Sequence, residues 1–173
     1  MRRLNLGCGK DIREGWDNLD SHNKNGANLI WDLNKLPIEI IKDNTYDYVL
    51  VSHVLEDMED LRKILNEITR ITRQGGFIEI RVPGECITWN STAHKNPINV
   101  SRIKDGILGS SGYGKEPLNL SIQETKYYSI KYHKIYSLWC CLVCNLFGWR
   151  IVDNTSIKFK YPYINMMVKL IKD

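Results

Sequence analysis

A strand, a glycine turn and a second strand fill the first twenty residues, and this unit constrains everything that follows. Leu4-Asn5-Leu6 is strand-compatible, Gly7-Cys8-Gly9 comes at once, and Asn18-Leu19-Asp20 closes the unit. In an open α/β sheet a ligand sits beyond the carboxyl ends of the strands, where strand order reverses. A glycine turn there lets the backbone approach a ligand, because no Cβ stands in the way. An acidic side chain at the tip of the next strand can accept hydrogen bonds from two ribose hydroxyls. Asp20 is placed for that role.

The same stretch argues against a dinucleotide. That fingerprint places a third glycine three residues after the second, for close helix–strand packing and pyrophosphate binding. Here the position is Ile12. Only ten residues separate Gly9 from Asp20, against roughly 20 in dinucleotide folds. The first crossover is therefore abbreviated to a short helix or turn over Lys10 to Trp16, with Trp16 packing where a longer helix would lie.

Further along, Ala27 to Leu33 reads as a third short strand with Asp32 near its end. Asp32 could instead cap a turn ahead of Leu36-Pro37. Tyr48-Val49-Leu50-Val51 is continuously apolar, as a central parallel strand should be, and runs into Ser52-His53-Val54-Leu55-Glu56. From Met58 to Arg73, Met58, Leu61, Ile64, Leu65, Ile68 and Ile71 fall at helical spacing. Gly75-Gly76 is the expected stop for that helix, and Phe77 to Val82 the fifth strand.

Gly84 to Glu124 is rich in Gly, Ser, Asn and Pro and follows the fifth strand at the ligand edge. Such segments commonly serve as substrate-side lids, here with a short helix around Pro97 to Ile107. A second long helix is expected over Tyr127 to Phe147, with Leu138, Leu142, Val143 and Leu146 among the residues facing the sheet. Trp149 to Asn154 and Ile164 to Ile171 then read as a closing antiparallel pair.

LNLGCGK followed by GWDNLD, and later SHVLED, resembles the motifs of class I S-adenosylmethionine (SAM) dependent methyltransferases, in a compact subgroup with a short first helix. The resemblance runs from Leu4 to about Pro83. It implies a single domain over residues 1–173 with 84–124 as the lid or insert. The implied fold is a three-layer, Rossmann-like α/β sheet, mostly parallel with an antiparallel C-terminal strand, in the order 3-2-1-4-5-7-6. SAM is the implied cofactor and S-adenosylhomocysteine the product. The cofactor residues carried over are Asn5, Gly7, Cys8, Gly9, Asp20, Asp32, Leu33, Ser52 and His53, with Asp32 and Leu33 toward the adenine. The final histidine of the family's His-Val-Leu-Glu-His run is Asp57 here.

Transfer of a sulfonium methyl is an in-line displacement, so much of the catalysis is positioning. A base is needed only where the nucleophile keeps its proton, as a hydroxyl does. His53, His94 and Glu85 are the candidate bases, with His53 best placed by topology, and Glu85, Trp89 and His94 the candidate substrate contacts. No metal site is expected. Cys140, Cys141 and Cys144 cannot surround one tetrahedral ion from a single helix, and core filling accounts for them. The five cysteines form no disulfide ladder.

Charge is uneven. Residues 1–84 hold 12 Lys/Arg against 14 Asp/Glu, and residues 85–173 hold 12 against 6. A basic second half could face nucleic acid, and a solvated lysine surface explains it as well. No secretory signal or membrane span is legible, so a cytoplasmic chain is expected. The sequence starts almost at the first strand. Cover for the cleft therefore falls to 84–124 or to a second subunit of a homodimer, unless a large substrate meets an open cleft. The leading reading is methyl transfer to a small-molecule or sugar-like oxygen. The alternatives are a nucleic-acid methyltransferase and a non-catalytic SAM-binding scaffold.

Overall fold

Seven strands form one sheet in the order β3-β2-β1-β4-β5-β7-β6. They are β1 (Arg3–Leu6), β2 (Asp17–Asp20), β3 (Leu29–Ile30), β4 (Tyr46–Ser52), β5 (Thr72–Pro83), β6 (Leu120–Ser129) and β7 (Ile164–Lys172). The structure is a computed structural model that describes residues 1–23, 25–83, 95, 98–109, 116–129, 142, 145–146 and 164–173. Strands β1 to β5 pair in parallel, whereas β7 runs antiparallel to both β5 and β6. The expected strand order and the antiparallel ending are both present.

Strand register aligns the core. Leu4 lies beside Val49, Val49 beside Ile78, and Ile78 beside Leu170. Leu6, Val51, Ile80 and Val168 form a second such row. Every one of these side chains is fully buried. Alternation sends their neighbours to the other face. There Trp16 stands edge-on to Tyr48, 5.5 Å between centroids, with the Arg3 and Arg13 guanidiniums 5.0 and 5.2 Å over its indole. Residues 10–16 form turns and extended chain, with no helix.

Helix α1 (Leu61–Ile71) covers the apolar rows with Leu61, Ile64, Leu65, Ile68 and Ile71, all buried. Each such side chain contributes roughly 1.5–3 kcal/mol of burial. Asp60 caps the helix, accepting from the Lys63 amide at 3.0 Å. The helix stops at Thr72 and not at Gly75-Gly76. Thr72 is already extended and paired with Tyr46 in the sheet, so pairing ends the helix three residues before the glycines.

Two further expectations change. Tyr127–Ser129 end strand β6 and do not begin a helix. Strand β6 replaces Trp149 to Asn154 as the antiparallel partner of β7, and residues 149–154 lie outside the described residues. The cause is legible in the register, which shifts between Ile122 and Glu124. This irregularity at Gln123 breaks the two-residue alternation by which a strand is read. Leu142 and Leu146 are helical as expected, but they are 54% and 69% exposed and do not face the sheet.

Within 84–124, helix α2 (Val100–Leu108) packs against α1. Ile98, Ile103 and Ile107 are buried. The Arg62 guanidinium donates to the carbonyls of Gly106 and Glu116, tying both residues to α1.

Candidate active site

Beyond the carboxyl ends of β1, β2 and β4 opens a cleft of about 320 Å3. Gly7 and Gly9 form its floor after β1, and Asp20 and Ser21 enter from the tip of β2. Trp31, Asp32, Leu33 and Asn34 enter from the loop after β3, and His53, Val54, Asp57 and Met58 from the segment after β4.

Hydrogen bonds between neighbouring segments hold the glycine turn. The Cys8 amide donates to the Leu19 carbonyl at 2.9 Å, and the Gly9 amide to Asp20 Oδ2 at 2.8 Å. The Asn5 side-chain amide donates to the Asp11 carbonyl at 2.6 Å. Gly7 has φ +67°, and a Cβ on it would stand 2.5 Å from Val54 Cγ2. Gly9 has φ +52° and open space where its Cβ would be. Both positions therefore favour glycine, the first by contact as well as by conformation.

Two carboxylates keep acceptor capacity for a ligand. Asp20 spends one lone pair on Gly9 and receives the Ser21 hydroxyl on Oδ1 at 3.3 Å, out of about four lone-pair sites on a carboxylate. Asp32 Oδ1 accepts from the Asn34 amide and side chain, both at 3.0 Å. The Asn34 amide holds the Asp32 carboxyl below its usual range. Asp32 thus caps its turn and lines the cleft at once. The Cys8 thiol is pushed up, by burial first and then by the nearby Asp20 charge.

His53 adopts φ +55°, a conformation uncommon outside glycine and found at sites where surrounding structure enforces it. Its amide donates to the Arg81 carbonyl at 2.9 Å. Its imidazole is 46% exposed, with Nδ1 3.2 Å from Glu56 Oε1. The Glu56 side chain is fully buried, and its Oε2 has no hydrogen-bond partner among the described residues.

The cleft brings together Gly7, Gly9, Asp20, Asp32, Leu33 and His53. Asn5 and Cys8 are buried behind the turn, and with Ser52 they do not line the cleft. Glu85, Trp89 and His94 lie outside the described residues. Sequence reasoning missed Trp31, Asn34, Val54 and Met58, and it missed Glu56. Trp31 and Asn34 flank Asp32 in the chain, and that adjacency was the signal available.

The donor set fits SAM. Three carboxylates (Asp20, Asp32, Asp57) line the cleft and, among the described residues, no Lys or Arg does, which suits a ligand bearing a sulfonium and an ammonium. A pyrophosphate would meet those carboxylates without a helix N-terminus to hold it, since residues 10–16 form no helix.

The fold is the Rossmann-like fold of class I, SAM-dependent methyltransferases. Residues 4–80, somewhat under half of the chain, match the model of a family described as a methyltransferase domain. Solved structures share the fold. A SAM-dependent methyltransferase from Archaeoglobus fulgidus is 15% identical, the match covering 99% of this chain and 86% of that one at a TM-score of 0.61. One from Mesorhizobium loti is 12% identical, covering 98% and 90% at 0.60. A chain from the complex of the Haloferax volcanii Trm112 methyltransferase activator with a methyltransferase is 15% identical, covering 99% and 82% at 0.61. A search of curated proteins found no significant match. Among the described residues no helix is long and apolar enough to cross a membrane.

Proposed function

We propose that the enzyme methylates a hydroxyl oxygen of a small-molecule or sugar-like acceptor, with His53 receiving the acceptor proton. The observation that carries this reading is His53 itself. It lines the cofactor cleft, and its Nδ1 faces Glu56, so Nε2 is the ring nitrogen left for a substrate. Bound SAM supplies the electrophilic methyl group. Gly7 and Gly9 leave room for it, Asp20 accepts from the ribose, and Asp32 with the Leu33 amide meets the adenine. Asn5, Cys8 and Ser52 support these groups from behind the cleft wall.

The lid is assigned to the start of the 84–124 segment. The Lys95 amide donates to the Glu56 carbonyl at 2.9 Å and Lys95 Nζ to Glu59 at 2.8 Å. Lys95 therefore lies beside the residues that follow His53, and Glu85, Trp89 and His94 precede it in the chain, outside the described residues. The nucleic-acid reading has less support. Lys126 and Lys169 both pair with Glu124, and Lys172 is spent on carbonyls at the end of α1.

Incubation with methyl-labelled SAM and separate panels of hydroxylated small molecules, sugars, RNA and DNA tests the reading. Label in a hydroxyl-bearing small molecule, lost in His53→Ala, is the expected result. Label confined to nucleic acid overturns it, and tight SAM binding with no transfer to any panel leaves the scaffold alternative in its place.

A further inference from the structure

The carboxylate beneath His53 does not line the cleft, yet it is buried beside it. Glu56 belongs to a single 3-10 turn, Leu55–Asp57, immediately after β4. Its side chain is 0% exposed, and its one polar side-chain contact among the described residues is Oε1 with His53 Nδ1 at 3.2 Å. Oε2 is the one buried side-chain oxygen or nitrogen without a partner among the described residues. Taking a carboxylate out of water is unfavourable unless its oxygens find partners. A chain gains nothing in stability by leaving one half-satisfied, so the arrangement calls for a use.

The geometry points to Glu56 as the positioning residue for His53 in proton transfer, which rests on the reading of His53 given above. A carboxylate against Nδ1 holds the proton of the neutral ring on that nitrogen and leaves the Nε2 lone pair for the cleft. The backbone fixes the same direction from the other side, through the positive φ of His53 and its amide bond to Arg81. As the acceptor oxygen's electron pair forms the bond to the methyl carbon, its proton passes to Nε2. The electron pair of the broken carbon–sulfur bond stays on sulfur, and the new imidazolium stands against the Glu56 carboxylate. The buried charge is thereby answered at the moment of transfer. A pairing of this kind has no use for an acceptor that attacks without losing a proton. It therefore narrows the substrate to an acceptor that keeps its proton until transfer, as a hydroxyl does.

The test is the tautomer of His53 in the full chain, read from long-range proton–nitrogen spectra of histidine-labelled protein at a pH where the ring is neutral. His53→Gln supplies the assignment. The wild type should carry the proton on Nδ1. In Glu56→Met, which fills the same space without the charge, the ratio of the Nδ1–H to the Nε2–H form should fall at least about tenfold, as loss of one charge-assisted hydrogen bond implies. SAM affinity, measured by calorimetry on the same samples, should change less than about threefold, because Glu56 does not line the cleft. If Glu56→Met fails to fold, Glu56→Gln takes its place under the same criterion, with a smaller fall. An Nε2–H ring in the wild type, or an unchanged ratio in a folded variant, overturns the assignment. The two readings can fail separately. Absence of SAM binding by the wild type would remove the cofactor reading while the tautomer still reported on the dyad.

Discussion

The Gly9 amide donates a 2.8 Å hydrogen bond to Asp20 Oδ2, joining the glycine turn to the tip of β2. One carboxylate therefore shapes the turn and faces the cleft. Asp20→Ala should weaken SAM binding on the order of tenfold to a hundredfold, the usual worth of hydrogen bonds to a charged group. Asp20→Asn can keep the bond from Gly9 and should lose less. Calorimetric titration ranks the two, and an unchanged affinity in Asp20→Ala removes the ribose contact.

Gly7 and Gly9 should respond differently to alanine. At Gly7 the new Cβ meets Val54 Cγ2 at 2.5 Å, and Gly7→Ala should cost about 1–3 kcal/mol in stability from overpacking, beyond the cost of a left-handed residue. At Gly9 nothing lies within 4 Å of the Cβ position, so the backbone conformation alone remains, about 1–2 kcal/mol. Urea unfolding of both variants decides it. Adding Val54→Ala should recover part of the loss at Gly7 and none at Gly9.

Tyr46 and Tyr48 should resist alkaline titration. Burial pushes both phenols well above their ordinary range, and the carboxylates of Asp17 and Glu79 add to it. The folded chain thus keeps protons that the unfolded chain releases near pH ~10. The stability these groups contribute is fully present below that pH and is lost as pH rises beyond it. Ultraviolet titration should show fewer than the nine tyrosines of the chain ionising before alkaline unfolding. The double variant Tyr46→Phe, Tyr48→Phe should remove the late-titrating groups.

The last strand also closes the end of α1. Lys172 Nζ donates to the carbonyls of Thr69 and Thr72 at 2.9 and 2.8 Å and to Asn44 Oδ1 at 2.8 Å. These carbonyls belong to the group a helix leaves unsatisfied at its C-terminus. Lys172→Met should therefore cost about 1–3 kcal/mol, measured as a lower urea midpoint. A midpoint equal to the wild type would show that solvent serves those carbonyls as well.

What the sequence determined by itself is local. The glycine turn, the acid eleven residues beyond it, the apolar runs of β1 and β4, and the helical spacing of Ile64, Leu65, Ile68 and Ile71 marked an α/β sheet with a ligand edge, and the motif resemblance implied the cofactor and the strand order. Each of these signals lies within one element or one turn, where steric limits and burial leave few choices. The tertiary structure decided what depends on pairing over distance. Thr72 ends α1 because it pairs with Tyr46, and β6 takes the place beside β7 because its irregularity at Gln123 is absorbed by a strand more than forty residues further along, where Ile122 meets Leu170 and Glu124 meets Lys169. Glu56 stands in plain view in the SHVLED run, but only the 3-10 turn folds it beneath His53 and out of water. Its chemistry comes from that burial, which is a property of the packed chain.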